Sequence, residues 1–189
     1  GENEVLIFIK SILPESTWIE ERDRTIINPQ ELDIVLPDLG IAIEYGGNYY
    51  HSEEKGKDIN YHIDKLNKVE DFGYRLISIT DEEWLKKQEI VKSRLNAILN
   101  KTNKIYARKC IIKEISYSIC SNFCTINHIQ GGDVKTSINI GLFNEETLVA
   151  IMSFSKARFS NSYEYELVRY CSLLNTTIVG GASKLLTYF

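Results

Sequence analysis

Hydrophobic positions along the chain change period several times, and each change marks an element. From Glu4 to Leu13 they fall at Val5, Leu6, Phe8, Ile9 and Ile12, one face of a helix that Pro14 ends. Trp18 to Ile27 reads as a strand carrying Arg22 and Arg24. Two short β-branched runs, Ile34 to Leu36 and Ile41 to Ile43, then flank Pro37-Asp38-Leu39-Gly40, the pattern of a β-hairpin. Ser52 to Asn60 is polar and reads as a loop or lid. Tyr61 to Phe72 returns to helical spacing at Ile63, Leu66, Val69 and Phe72, with Gly73 as its C-cap. Tyr74 to Ile79 reads as a buried strand, and Thr80-Asp81-Glu82-Glu83 as a capping box for a helix running to about Leu99.

Lys101-Thr102-Asn103-Lys104 reads as a boundary, dividing a domain over 1–101 from another over 105–189. In the second, Glu114 to His128 is expected to be helical. Ser137 to Phe143 and Leu148 to Ser155 form an antiparallel pair around Asn144-Glu145-Glu146-Thr147, and Glu164 to Leu173 makes another strand. Cys120, Cys124 and His128 recur on one helical face, but three ligands along one straight helix span too far for one zinc ion, so core cysteines are the expectation. Ile178-Val179-Gly180-Gly181-Ala182-Ser183-Lys184-Leu185-Leu186 loosely resembles the front half of a GNAT-type acyltransferase fold. There a strand leads through a glycine turn to a helix whose N-terminal amides hold a cofactor pyrophosphate. The fuller R/Q-x-x-G-x-G/A pattern is missing, and a plain tight turn is the alternative. By that resemblance the second domain is expected to be incomplete at its C-terminus.

Composition narrows the class. The chain has 189 residues with 43% hydrophobic and 25% charged content, ordinary for a globular protein. No run is long enough to span a membrane, so none is expected as a partner. Four cysteines without a tight framework suggest a reducing compartment. A net charge of −4 argues against indiscriminate nucleic-acid coating. Yet between Trp84 and Lys113 lie Lys86, Lys87, Lys92, Arg94, Lys101, Lys104, Arg108, Lys109 and Lys113 against the single acid Glu89. That run is either a solvated face or a surface that tracks a nucleic-acid backbone.

The acids around the hairpin carry the chemistry. Asp33 opens its first strand and Glu44 ends the second, each beside residues that must be buried. Carboxylates at the lip of an apolar sheet are costly unless a cation shares them, and hard oxygen ligands suit magnesium. A hairpin with solvated acidic ends is the alternative. Gly46-Gly47 then bends the chain and delivers Tyr49, Tyr50 and the titratable His51.

The run ELDIVLPDLGIAIEYGGNYYHSE, followed by YHIDK, resembles the Vsr-like, EDxHD homing-endonuclease branch of the PD-(D/E)xK nucleases over roughly the first hundred residues. The resemblance implies an α/β, restriction-endonuclease-like core with a mixed sheet flanked by helices, and a phage-type homing or mobile-element enzyme. Its substrate would be double-stranded DNA, and its compartment the cytoplasm of a bacterial or phage-infected cell. Magnesium would be the cofactor, with manganese able to substitute. Asp33, Glu44 and the backbone carbonyl of Tyr45 would hold the metal, His51 would be the general base, and Glu4 would orient it or a metal-bound water. Asp64 is the choice for the last acid of the motif, with His62 beside it as the rival. Tyr49 and Tyr50 would meet bases, while Lys65, Lys86, Lys87, Lys92 and Arg94 would meet the DNA backbone. The family's lysine two residues after Glu44 is Gly46 here, a departure that fits a branch relying on histidine. A DNA-binding module with a decayed site, or an acyltransferase using the second domain, are the rival functions.

Overall fold

The computed structural model describes residues 1–46, 59–132, 135–158 and 162–189, with backbone alone over 59–62. The chain is a mixed α/β protein that divides into two compact units, Gly1–Val91 and Lys92–Phe189.

In the first unit the order is α1 (Glu2–Ile12), β1 (Glu20–Asp23), β2 (Leu32–Leu36), β3 (Ile41–Tyr45), α2 (Ile59–Asp71), β4 (Arg75–Ile79) and the start of α3 (Asp81–Ile98). Its sheet runs β1-β2-β3-β4, with β1, β2 and β3 successively antiparallel and β4 parallel to β3. One rank, Ile34-Ile43-Ile77, is buried on one face, and the next, Val35-Ala42-Leu76, lies on the other. Val35 and Ala42 form a core cluster with Ile27, Leu32 and Val69 of α2. A single 3₁₀ turn over Pro37–Leu39 closes the hairpin, and Gly40 leaves it at φ +60°, which glycine adopts without a Cβ clash. The capping box of α3 is formed as expected: the Glu83 amide donates to Thr80 Oγ1 at 3.1 Å, and the Thr80 amide to Glu83 Oε2 at 3.2 Å.

The helix α2 departs from its expected face. Its apolar positions Ile63, Leu66 and Phe72 are exposed, whereas Lys65 and Val69 are buried. The stripe is turned by the partner that Lys65 finds, described below.

The second unit takes the rest of α3, then β5 (Asn103–Tyr106), β6 (Ile111–Glu114), α4 (Tyr117–Asn127), β7 (Ile138–Asn144), β8 (Thr147–Lys156), β9 (Tyr165–Ser172), β10 (Thr176–Val179) and α5 (Gly181–Tyr188). The strands β6-β7-β8-β9 make an antiparallel sheet, and β5 pairs in parallel with β10. The 101–104 segment is therefore not a linker throughout: from Asn103 it is a strand, and the division between units falls inside α3, between Val91 and Lys92. Glu114 ends a strand, and the helix after it begins at Tyr117 with the Ser116 hydroxyl accepting the Ile119 amide. All four cysteines are free and buried. Cys120, Cys124 and Cys171 join Phe123 and Ile151 in one core cluster, while His128 sits at the end of α4 with Nδ1 accepting the Gln130 amide. Among the described residues no helix is long and apolar enough to cross a membrane.

Candidate active site

The hairpin fixes where the two acids meet. Ile34 pairs with Ile43 and Val35 with Ala42, so continuing that register by one step sets Asp33 opposite Glu44. Side chains alternate along a strand, and this pair falls on the face that Val35 and Ala42 present to α2. Asp33 Oδ2 accepts the Tyr45 amide at 2.7 Å, which ties the start of β2 to the end of β3.

From α2 comes Lys65, only 4% exposed. Its Nζ donates to Glu44 Oε1 at 2.5 Å and to the Glu31 carbonyl at 2.7 Å. A buried ammonium is costly without such partners, and this one is matched by a carboxylate and a carbonyl together. Lys65 is therefore not a surface cation free to track DNA; it is turned inward, onto the acid pair. The sequence spacing placed Gly46 where a strand-borne lysine would stand, and the fold brings an ammonium to Glu44 from a helix instead.

Electrostatically the pair is short of positive charge. Burial pushes the Asp33 carboxyl above the usual carboxylate range; the Tyr45 amide opposes this, the Glu44 and Glu2 carboxylates push it further, and Lys65 pulls it back. Glu2 is the acid of α1 that Asp33 feels, and the sequence reading passed over it. Its signal was its place beside Glu4 in the first helical turn, where it ion-pairs Arg22 at 3.6 Å.

Glu4, chosen from sequence as the motif acid, has Oε2 accepting the Trp84 indole N–H at 2.7 Å and facing the Gly1 ammonium at 3.3 Å. Trp84 is 1% exposed, so Glu4 anchors α1 to the start of α3. Tyr45 lies near this group: its phenol is pushed up to about 12, first by burial and then by its hydrogen bond to Asp81 and the nearby acids.

The remaining predicted residues divide into three groups. His51, Tyr49 and Tyr50 lie outside the described residues, as does the side chain of His62. Asp64 is exposed, on the neighbouring position to the inward Lys65, and the structure does not bring it to Asp33 or Glu44 by any bond. Of the basic set, Lys86 is exposed and pairs with Glu82 at 2.8 Å one turn back, and Lys87 sits at a break in α3 with φ −137° and ψ 37°. Lys92 and Arg94 lie on the part of α3 that belongs to the second unit.

Among the described residues no group of three or more His, Cys, Asp or Glu is placed to hold a metal ion. Asp33 and Glu44 are opposed across the hairpin, two carboxylates of the hard-oxygen type that magnesium takes. Comparison with protein-family models, curated proteins and solved structures gives no match.

Proposed function

We propose that this chain is a metal-dependent DNA endonuclease whose chemistry resides in its first unit. The observation that carries this reading is the meeting of Asp33, Glu44 and Lys65 on one face of a mixed sheet. The order helix, antiparallel β1-β2-β3, helix and parallel β4 supports a restriction-endonuclease-like core of the Vsr-like branch.

In this reading Asp33, Glu44 and the Tyr45 carbonyl would hold a magnesium ion, which when bound would supply charge relief at the phosphate and a more acidic water. The chain's own residues do the rest. Asp33 is oriented by the Tyr45 amide, so its free oxygen has a fixed direction. Lys65 holds Glu44 in place, and its ammonium offsets charge where a phosphate would add more. His51 takes the proton of the attacking water. Incubation with supercoiled plasmid tests the proposal: nicking that needs magnesium and disappears in Asp33→Asn supports it. Binding without cleavage in any divalent metal would make the chain a DNA-binding module with a decayed site.

A second reading, acyl transfer, draws on a separate observation. Beside Gly180 and the N-terminus of α5 lies a cavity of about 380 Å³, lined in part by Tyr170, Ser172, Thr176 and Gly181. Its size lies within the range of small-molecule sites. Calorimetry with acetyl coenzyme A tests it, and absence of heat removes it.

A further inference from the structure

The second unit contains a half-buried cation that the nuclease reading does not use. Ser153 of β8 and Arg169 of β9 are directly paired across the sheet, on the face that Ile151 and Cys171 present to α4. Immediately before Arg169 the register slips: Ser153 pairs with Arg169, but Phe154 pairs with Leu167, so Val168 is an extra residue in β9. Such a bulge re-aims the side chain next to it. Here the Val168 carbonyl accepts Arg169 Nη1 at 2.8 Å, which pins the guanidinium.

Two donors are left over. Ser153 is 1% exposed, its Oγ lies against the Cys120 thiol and meets no oxygen or nitrogen partner among the described residues, and Arg169 Nε is buried without a hydrogen-bond partner. Both face a small cavity under α4, with free volume of about 10 Å³, closed further by Tyr117, Cys120, Ser121 and Thr136. None of the described lining residues is an acid. Among the described residues no carboxylate forms a salt bridge with Arg169. Nor do the thiols supply charge: hydrogen bonding with Cys124 and burial push Cys120 up, and Cys124 stands at about 11, so both are protonated at neutral pH. The Ser121 hydroxyl is committed to the Gly132 carbonyl at 2.8 Å, and Thr136 Oγ1 to Asn139 Oδ1 at 2.5 Å. Gly132 packs closely on α4, where a Cβ would meet the Ser121 carbonyl oxygen at 2.1 Å.

A guanidinium without an acid partner among the described residues, beside a buried hydroxyl donor, is complementary to an anion. The cavity is the size of one water-sized atom, so a single oxygen enters it while the rest of the ligand stays at the mouth. We infer that the Ser153–Arg169 cavity of the second unit binds one oxygen of a small oxyanion, the terminal phosphate or carboxylate group of a ligand. This assignment is independent of the nuclease reading of the first unit.

The test is titration of the full chain with inorganic phosphate and, separately, acetate, followed by calorimetry and by the ¹⁵Nε–¹H signal of Arg169. Saturable binding that shifts this signal is expected, and the stronger of the two probes tells phosphate from carboxylate. Arg169→Gln should weaken binding about tenfold or more, the worth of a charge-assisted hydrogen bond. Ser153→Ala, which keeps the guanidinium and only removes the orphan hydroxyl, should weaken it several-fold. No saturable binding of either probe would mean that the cavity holds an ordered water only. Binding unchanged in Arg169→Gln, or lost there but intact in Ser153→Ala, would move the anion elsewhere. Each of these results overturns the inference.

Discussion

Lys65→Met separates an ion pair that organises the first unit from one that merely decorates it. Methionine keeps the length and apolar stem of lysine, so what disappears is the ammonium and its two hydrogen bonds, at 2.5 Å to Glu44 and 2.7 Å to the Glu31 carbonyl. Removing one partner of a fully buried pair costs about 3–5 kcal/mol. Glu44 keeps 32% of its side-chain surface, so water recovers part of that, and about 2–3 kcal/mol is the expected loss. In a unit of this size that lowers the midpoint by about 10–20 °C. Both tryptophans, Trp18 and Trp84, lie in the first unit, so fluorescence follows its unfolding without the second. Repeating the change in a Glu44→Gln background isolates the cause, because a neutral partner strands no charge and the loss should then be much smaller. Added magnesium should raise the midpoint of Lys65→Met more than that of the wild type, since the ion would meet carboxylates no longer neutralised by lysine. A shift of only a degree or two, or an equal loss in the Glu44→Gln background, would refute the pairing as the source of stability.

Asp33→Asn should raise thermal stability at neutral pH while abolishing magnesium-dependent nicking. Asp33 has its folded pKa raised, so the folded state binds the proton more tightly and stability falls as pH rises from the unfolded value through the folded one. Asparagine carries no such penalty and its Oδ1 still accepts the Tyr45 amide, so the gain should vanish on acidification below the unfolded value; a variant that melts lower at neutral pH contradicts this. His51→Ala should retain magnesium affinity by calorimetry but lose about two to four orders of magnitude in cleavage, with partial recovery at alkaline pH. Loss of the metal as well would make His51 a ligand. Reversing the charge of Lys86, Lys87, Lys92 and Arg94 together should weaken duplex binding and flatten its salt dependence; an unchanged titration curve removes that stretch from the interface.

What was legible in the sequence was local. The hairpin around Pro37–Gly40 and the Thr80–Glu83 capping box lie where their own residues dictate, and so does the β7–β8 pair around Asn144–Thr147. The inward turn of Lys65 was not legible, because periodicity ranks Ile63, Leu66, Val69 and Phe72 as the buried stripe, of which only Val69 is buried, and cannot weigh a carboxylate 21 residues upstream in the sheet. The strand β5 was missed for a similar reason. Asn-Lys-Ile-Tyr is short and polar, and its partner comes from the far end of the chain. The family resemblance points to Glu4, but it carries no information about the Trp84 indole that Glu4 meets.

The parallel pairing of β5 with β10 sets an order of events on the ribosome. Every strand of the first sheet has been made once Ile79 emerges, so that sheet can assemble early in synthesis. Asn103–Tyr106 must instead wait for Thr176–Val179, a long loop to close and a slow contact to gain. Through that interval its hydrogen-bonding edge is an open template for another nascent chain. Translation that pauses before Thr176 should therefore leave a folded first unit carrying an unpaired strand edge, and the yield of intact protein should depend on how quickly Thr176–Val179 is delivered.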